Sequence, residues 1–447
     1  MNAATTSLLP LVALVLGCSS GAEENPAAPD ADTPGNGSTD AGGDAGSIVD
    51  PVKPTPEGST RYVAGARHSA MSASVVSGLR ALLSAGTGKR GVFAKVGDSI
   101  TVSSSFLHCF DGSDVRLESL PGLEKTRQFF RTEKIGADTS FSRDSLAAVV
   151  GWSARASLVG TPSPLDRELA ATLPTFAVLM FGTNDTYEQG VFPFETSLRK
   201  NIEAILSKNV IPLVSTIPPR GDKEAANQLV PEMNAIIRAL AEAYQVPLMD
   251  YHQTLLPLPK YGLATDGVHP TAYPSHPCWF DKDAMQFGSN QRNLITIEAL
   301  DRAKRFLVDN EVPESSPPAL EGIGSWEDPL IVDALPFAHA GDTSKSKVQV
   351  ASSYSCAPSS NEGGPEILYK LSVSRPMKLR ARVYVDDGVD VDLHLLSMNT
   401  AAKCTARDNN TLVWNATPGE NFLSVDTFVS SGTPRAGRFR ITIAEVP

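Results

Sequence analysis

Four short apolar runs, separated by longer stretches with helical spacing, constrain the fold of this chain more than any other feature. The runs cover residues 91–96, 176–181, 210–215 and 246–250. Continuous apolar runs of this length are typical of strands that are buried on both faces of a parallel sheet. Apolar residues recur with the helical period in the intervening and following stretches, which are residues 196–208, 223–244 and 290–308. Alternation of this kind predicts an α/β domain with helices on both faces of the sheet, which we place at residues 61–312.

Two parts of the chain depart from this alternation. Residues 110–141 fit it poorly, and we expect irregular loops there. Residues 313–321 are rich in proline and serine and predict a linker. Beyond them, apolar and polar residues alternate with period two in residues 378–385, 390–395 and 438–443. That alternation is typical of strands with one buried face, so residues 322–447 are predicted to form a β-sandwich.

The N-terminal residues predict export. Residues 8–16 form a short apolar core, and Cys18 follows it. This resembles a bacterial lipoprotein signal peptide, residues 1–17, in which the cysteine becomes lipidated. The first ten residues contain no lysine or arginine, unlike the usual charged start, so an ordinary signal peptide remains the alternative. Residues 18–60 are nearly free of large apolar side chains and predict a disordered tether. We therefore expect a lipid-anchored protein of the bacterial cell envelope, at the outer membrane or cell surface, or a secreted one.

Four further cysteines predict two disulfides, since exported proteins fold in an oxidising compartment. Domains usually contain their own crosslinks, which favours the pairs Cys109–Cys278 and Cys356–Cys404. Four cysteines allow three pairings, and the sequence alone leaves the other two open. A structural metal is the alternative, but no pair of cysteines has the spacing of a zinc site.

Charge and hydropathy exclude two classes of partner. The net charge is −11, and no lysine- or arginine-rich run occurs, so we expect no nucleic-acid partner. No internal stretch approaches the length of a transmembrane helix. The N-terminal lipid is then the expected link to a membrane, and we expect a monomer.

Three motifs, in fixed order, supply the parts of a serine-hydrolase site. Residues 97–99 (Gly-Asp-Ser) follow the first apolar run, residues 182–185 (Gly-Thr-Asn-Asp) follow the second, and residues 266–270 (Asp-Gly-Val-His-Pro) come late. A serine hydroxyl needs a base to take its proton, and that base needs a carboxylate to orient it. Ser99, His269 and Asp266 fit these roles. The backbone N–H of Ser99 and the amide of Asn184 can stabilise the oxyanion.

These motifs resemble those of the SGNH (GDSL-type) hydrolase superfamily over residues 88–310. The resemblance implies a flavodoxin-like three-layer α/β/α fold. It also implies that Ser99 is the nucleophile, His269 the general base, Asp266 its orienting acid and Asn184 an oxyanion donor. The family's oxyanion glycine has no clean match here; Gly151 is our candidate, and Gly136 and Gly160 are alternatives. The implied activity is an exported serine esterase that hydrolyses an ester or O-acyl group, acetyl among them, through an acyl-enzyme on Ser99. No cofactor and no catalytic metal are implied.

The C-terminal region resembles the bacterial pre-peptidase C-terminal domain, a β-sandwich. The resemblance rests on residues 326–329 (Trp-Glu-Asp-Pro), 390–393 (Asp-Val-Asp-Leu), 418–419 (Pro-Gly) and 425–426 (Val-Asp). Four carboxylates cluster within it and could hold calcium: Asp386, Asp387, Asp390 and Asp392. A solvated strand face with a turn is the favoured interpretation of that cluster, so we expect no metal site.

Two other functions compete with the esterase. A metal-dependent phosphoesterase would need several histidine and carboxylate ligands, and His269 is the one histidine within a catalytic motif. An inactive lipoprotein that binds polysaccharide is the other alternative, and the intact set of catalytic residue types argues against it. The sequence leaves the substrate open between an acylated carbohydrate and a lipid. Trp152 and Trp279 could line its cleft, although such tryptophans more often lie in a core.

Overall fold

A four-stranded parallel sheet lies at the centre of the first half of the chain. The computed structural model describes residues 59–117, 120–188 and 190–447. The strands run in the order β1–β2–β3–β4: β1 Lys89–Gly97, β2 Pro174–Met180, β3 Ile211–Ser215 and β4 Leu248–Met249. The Gly97 N–H donates to Ala147 O, and the Val149 N–H donates to Gly97 O, so residues 147–149 extend the sheet beyond β1. The sequence-based prediction of a buried parallel sheet is confirmed.

Helices cover both faces of this sheet. Their bounds are α1 Ala73–Ala85, α2 Ser99–Val102, α3 Pro121–Thr132, α4 Pro164–Thr172, α5 Asp185–Glu188, α6 Val191–Ser207, α7 Glu224–Asn227, α8 Val230–Tyr244, α9 Tyr251–Leu255 and α10 Gly288–Ala303. Helices α1, α3 and α10 pack together on one face, and α4, α6 and α8 pack on the other. The result is the expected three-layer α/β/α arrangement.

Two local expectations were wrong. The segment 110–141 contains a regular helix, α3, because Leu123, Arg127 and Phe130 form a narrow buried stripe on an otherwise polar helix. The expected single helix over residues 223–244 is two helices. Pro231 lies in the first turn of α8, where its missing N–H does no harm, but it cannot continue a preceding helix.

The second half of the chain is a β-sandwich, as predicted. One sheet has the order β10–β9–β12–β7–β5 and the other β11–β8–β15–β6. The strand bounds are β5 Leu330–Val332, β6 Phe337–Asp342, β7 Glu366–Val373, β8 Met377–Val385, β9 Val391–Leu396, β10 Cys404–Asp408, β11 Thr411–Ala416, β12 Gly419–Thr427, β13 Val429–Ser430, β14 Thr433–Pro434 and β15 Arg438–Glu445. The inward faces of β7, β8, β9, β12 and β15 supply most of its apolar core.

Helices α6 and α8 pack against the second sheet of the sandwich through buried charges. Arg440 of β15 donates to Glu195 of α6 at 2.8 Å. Arg380 and Arg382 of β8 both pair with Glu232 of α8. All described residues belong to one compact unit, Asp50–Pro447. The sandwich therefore rests directly on the α/β layers, opposite the face formed by α1, α3 and α10.

The expected linker is held by contacts with the α/β domain. Of the expected tether, only the last residues are among those that the structure describes. Glu314, in the expected linker 313–321, pairs with Arg302 at 2.6 Å, and its N–H donates to Met71 O. Thr60, at the end of the expected tether, is buried, and its N–H donates to Gln245. The signal peptide, Cys18 and the rest of the tether lie outside the described residues. No helix in the described part of the chain is long and apolar enough to cross a bilayer.

Candidate active site

Ser99 lies directly after β1, at the first residue of the short helix α2. Asp98 caps this helix by accepting from the Ile100 N–H at 2.9 Å. Gly97 leaves no room for a side chain, since a Cβ there would lie 2.7 Å from Met180 O on β2. The glycine lets the chain turn sharply out of the sheet. Ser99 is thereby placed at the carboxyl edge of the strands, where sites of open α/β sheets form.

The structure brings His269 and Asp266 to this serine. His269 Nε2 lies 2.9 Å from Ser99 Oγ, and His269 Nδ1 lies 2.7 Å from Asp266 Oδ2. Asp266 Oδ1 also accepts from the N–H groups of Val268 and His269, at 2.9 and 3.0 Å. Burial raises the pKa of the Asp266 carboxyl, but these N–H groups and the imidazole outweigh it, so the pKa lies below its ordinary value. The acid is ionised and holds the imidazole with Nε2 towards the serine.

A neighbouring segment holds the loop that carries His269. The Gly221 N–H donates to Gly267 O at 2.6 Å. A Cβ on Gly267 would lie 2.5 Å from Asp222 N, and its φ is +69°, so both space and backbone conformation require glycine between Asp266 and His269. Arg220, buried next to this contact, donates to Thr183 O and pairs with Asp222 at 2.9 Å. It thus ties the Gly-Thr-Asn-Asp segment to the catalytic loop.

Asn184 and Gly151 lie in adjoining segments. The Asn184 amide donates one hydrogen bond to Trp152 O at 2.9 Å, and an asparagine amide carries a second N–H. Gly151 has φ +80°, with no atom within 4 Å of an added Cβ, and it lies two residues after Val149, which bonds Gly97. The alternatives are placed differently: Gly136 lies in a turn closed by Ile135 and Asp138, and Gly160 follows a short helical turn.

The segment 96–273 matches the model of the GDSL-like lipase/acylhydrolase family. The chain therefore contains a GDSL-like lipase/acylhydrolase domain. All residues of the proposed triad, Asn184 and Gly151 lie within the matched segment. The protein is a serine hydrolase of this type, which acts on ester bonds.

Solved structures similar to the chain fall into two groups, one for each half. A GDSL-like lipase from Bacteroides thetaiotaomicron matches at 16% identity and TM-score 0.31, over 51% of this chain and 98% of that chain. An acetyl xylan esterase from Geobacillus stearothermophilus matches at 16% identity and TM-score 0.31, over 48% and 95%. The pre-peptidase C-terminal domain of a collagenase from Bacillus anthracis matches at 12% identity and TM-score 0.18, over 28% and 99%. Comparison with the curated proteins gives no match.

The GDSL-like domain has positioning residues that the sequence analysis missed. Asp185 is fully buried, and its carboxylate accepts from the Ala154 N–H at 3.1 Å. Together with Asn184, it holds the segment that carries Gly151. The adjacent pair Asn184-Asp185 could have indicated this role. Polar side chains directly after a buried strand have few local partners and must bond to other segments.

Two buried charged groups, Arg292 and Asp98, lie next to helix α2. Arg292 of α10 donates to Ile100 O and, at 2.9 Å, to Thr101 Oγ1, which fixes helix α2 from below. Burial raises the pKa of the Asp98 carboxyl to about 6, and the nearby Arg292 guanidinium opposes that shift. No local motif marks Arg292, because its contacts join segments 192 residues apart.

A cavity of about 20 Å³ touches His269 and Arg292. It is enough for little more than one water molecule. Its other lining residues are Ile100, Ser103, Phe106, Pro270 and Ser289. The imidazole and Asp266 side chains themselves are 45% and 51% exposed. His269 thus lies between this small cavity and open solvent.

Both expected cysteine pairs form disulfides. Cys109–Cys278 joins the segment after Ser99 to the segment after His269. Asn293 of α10 supports the same junction by donating to Ser105 O and Pro277 O, at 2.8 and 2.9 Å. Nearby, Trp279 has both ring faces covered, since His276 stacks at 3.6 Å on it and Arg116 lies 3.2 Å from the ring centroid.

Three of the four carboxylates weighed as a calcium site have separate surroundings. Asp386 pairs with Arg438 and Arg440 at the contact with the α/β layers. The Asp387 side chain is 96% exposed. Asp392 is 1% exposed and lies on the outer face of the first sheet of the sandwich.

Proposed function

We propose that this protein is an exported serine esterase that removes short acyl groups, such as acetyl, through an acyl-enzyme on Ser99. The observation that carries the proposal is the continuous hydrogen-bonded series Ser99–His269–Asp266, with distances of 2.9 and 2.7 Å. Nucleophile, base and orienting acid are already within reach of one another, as this chemistry requires.

In the first half of the reaction, His269 Nε2 takes the Ser99 proton as Oγ attacks the ester carbonyl. Ionised Asp266 stabilises the imidazolium that forms. The oxyanion of the tetrahedral intermediate accepts from the Ser99 N–H, the Asn184 amide and the Gly151 N–H. Collapse of the intermediate expels the alcohol, which takes the proton from His269. Water, activated by the same imidazole, then releases the acid and restores Ser99.

The surroundings of the triad favour an ester carried by a large alcohol. The cavity of about 20 Å³ beside His269 is lined by neither Ser99, Asn184 nor Gly151, so it is not assigned to the acyl group. The half-exposed His269 and Asp266 side chains leave the opposite side open. An acylated carbohydrate or a lipid at a surface can approach from this open side, because only its ester group must reach Ser99.

Export and anchoring rest on the sequence together with the disulfides. Cys18 is the proposed lipidated residue, which would hold a monomeric enzyme at the cell envelope through the tether. Cys109–Cys278 and Cys356–Cys404 support folding in an oxidising compartment. Metabolic labelling with a fatty-acid probe, in the intact protein and in Cys18→Ala, tests the anchor; labelling of both proteins would contradict it.

An acyl chain-length series tests the activity. The esters are 4-nitrophenyl acetate, butyrate and octanoate, and we expect kcat/KM to fall steeply with chain length. Ser99→Ala should lose at least about 10⁴-fold on the acetate, and a fluorophosphonate should label wild type only at Ser99. Ser105→Ala, in the segment that follows α2, is the matched control and should keep full activity. A preference for octanoate would overturn the short-acyl proposal, and activity in Ser99→Ala would overturn the nucleophile.

A further inference from the structure

Three chemistry-bearing side chains meet on the outer face of the first sheet of the sandwich, beneath the segment that contains Tyr354 and Cys356. Glu362 lies in the segment before β7, and Asp392 and His394 lie two residues apart on β9, on the same face of the strand. Their ligand atoms all lie within 4.8 Å of one another. The three side chains are 0%, 1% and 0% exposed. They form a buried carboxylate–histidine cluster.

The facing atoms of this cluster have no hydrogen-bond partner. This holds for both carboxylate oxygens of Glu362, for Asp392 Oδ1 and for His394 Nε2. His394 Nε2 and Glu362 Oε1 are 3.8 Å apart, which is too long for a hydrogen bond. Leaving buried polar atoms unpaired costs free energy, and buried carboxylates are normally paired or bound to a metal.

The local cation does not satisfy the cluster. Arg407 pairs with Asp392 Oδ2 at 2.6 Å, but its Nε lies 3.9 Å from Glu362 Oε1. Two further buried carboxylates lie nearby and have other donors: Glu366 accepts from Trp326 Nε1 at 2.6 Å, and Asp426 accepts from the Tyr354 hydroxyl at 2.5 Å. The region thus contains four buried carboxyl groups, and Arg407 approaches Glu362 without a hydrogen bond to it.

The His394 ring is held in one orientation. It stacks on Tyr354 with the centroids 3.7 Å apart. Nδ1 lies 4.0 and 3.9 Å from the sulfurs of Cys356 and Cys404, so Nε2 faces the carboxylates. A ring nitrogen directed at two carboxylates is the usual way in which histidine contributes to a metal site.

We propose that Glu362, Asp392 and His394 bind one divalent transition-metal ion, with zinc as the best match. One imidazole and two carboxylates are zinc ligands, whereas calcium and magnesium prefer oxygen donors alone. Ligand atoms around one zinc ion lie about 3–4 Å apart, so the cluster is close to a ligating arrangement. The ion would join the segment before β7 to β9 and neutralise Glu362. Its role is structural, since the three side chains are shielded from solvent beneath the segment that covers the outer face of this sheet.

Zinc binding by the full chain tests this proposal under non-reducing conditions. The protein is stripped with a chelator, dialysed, and titrated separately with zinc chloride and calcium chloride. Bound metal is measured by mass spectrometry after gel filtration, together with Tm. We expect about one zinc ion per chain and a higher Tm with zinc. Glu362→Gln, which preserves side-chain shape, and His394→Asn should both lose the bound zinc and the Tm increase.

His339→Asn is the matched control, because His339 lies in the same sandwich but bonds the Tyr369 hydroxyl at 2.9 Å. It should bind zinc like wild type. Far-UV circular dichroism and a cooperative thermal transition in each variant show whether the sandwich has folded. Absence of bound zinc in wild type would overturn the proposal and favour a proton shared by Glu362 and Asp392. Equal zinc in Glu362→Gln, a Tm increase with calcium alone, or binding only after reduction of Cys356–Cys404 would each overturn it as well.

Discussion

His269 and His394 both lie beside carboxylates, yet their surroundings are opposite. The His269 side chain is 45% exposed, and each of its ring nitrogens has a partner within 2.9 Å. The His394 side chain is 0% exposed, and its Nε2 has no partner among the described residues. The first histidine can exchange protons with substrate and solvent. The second is buried and lacks access to both.

The difference shows that residue type does not decide the chemistry of an acid–histidine pair. Hydrogen bonds from the Asp266 loop keep that carboxylate charged and the imidazole oriented, which suits proton transfer. Within the sandwich, strand pairing places Asp392 and His394 together and excludes water, which suits a bound cation. Three predictions test whether the two regions are as separate as this comparison states, from the largest expected effect to the smallest.

Asn184→Ala should lower catalytic activity in the α/β domain and leave the sandwich unaffected. Loss of one oxyanion donor should lower kcat by about 100- to 1000-fold, while Tm and zinc uptake stay close to wild type. Steady-state kinetics on 4-nitrophenyl acetate gives the result. Asn310→Ala, at an exposed asparagine, is the control and should be fully active. A loss of less than tenfold in Asn184→Ala would remove this amide from the oxyanion site.

The two disulfides should differ in what their removal affects. Replacing Cys109 and Cys278 by serine frees the segments that follow Ser99 and His269, so both stability and kcat/KM should fall. Replacing Cys356 and Cys404 should lower stability alone. Each loss of stability should be about 2–5 kcal/mol, measured by urea unfolding. Equal effects on activity from the two pairs would mean that the sandwich influences the catalytic loops.

Glu242 should make the stability of the contact between helix α8 and strand β6 depend on pH. Its carboxylate accepts from the N–H groups of Tyr62 and Ala340, at 2.8 and 3.0 Å, and burial raises its pKa from 4.5 to about 7. Between these values the folded protein holds a proton that the unfolded chain has lost. Its contribution to stability is therefore present below pH 4.5 and lost as the pH rises through 7.

Glu242→Gln should remove this dependence. Between pH 4.5 and 7, the free energy of unfolding should fall in the wild type by up to about 3 kcal/mol more than in the variant. Urea unfolding at a series of pH values measures it. Glu327→Gln, at an exposed carboxylate, should behave as wild type. Parallel curves for wild type and Glu242→Gln would show that another group dominates.

The sequence was sufficient to predict the sheet and the residues of the candidate triad, because both have local signals. Strands β1, β2 and β3 are uninterrupted apolar runs, and Ser99 and Asn184 follow two of them directly. Helix α3 was missed because charged residues surround its narrow buried stripe. Arg220 and Arg292 were missed because their contacts are with segments distant in sequence, and no local pattern encodes such contacts.

The buried cluster in the sandwich marks the limit of sequence reasoning. Alternation along β9 places Asp392 and His394 on one face, and this Asp-Leu-His spacing was available in the sequence. That Glu362, from a segment without regular structure, meets them could not be inferred from it. Local periodicity determined which elements form. The three motifs determined where the candidate nucleophile, base and acid occur. Only tertiary packing decided which charged side chains lost their contact with water, because burial depends on every element that covers a residue.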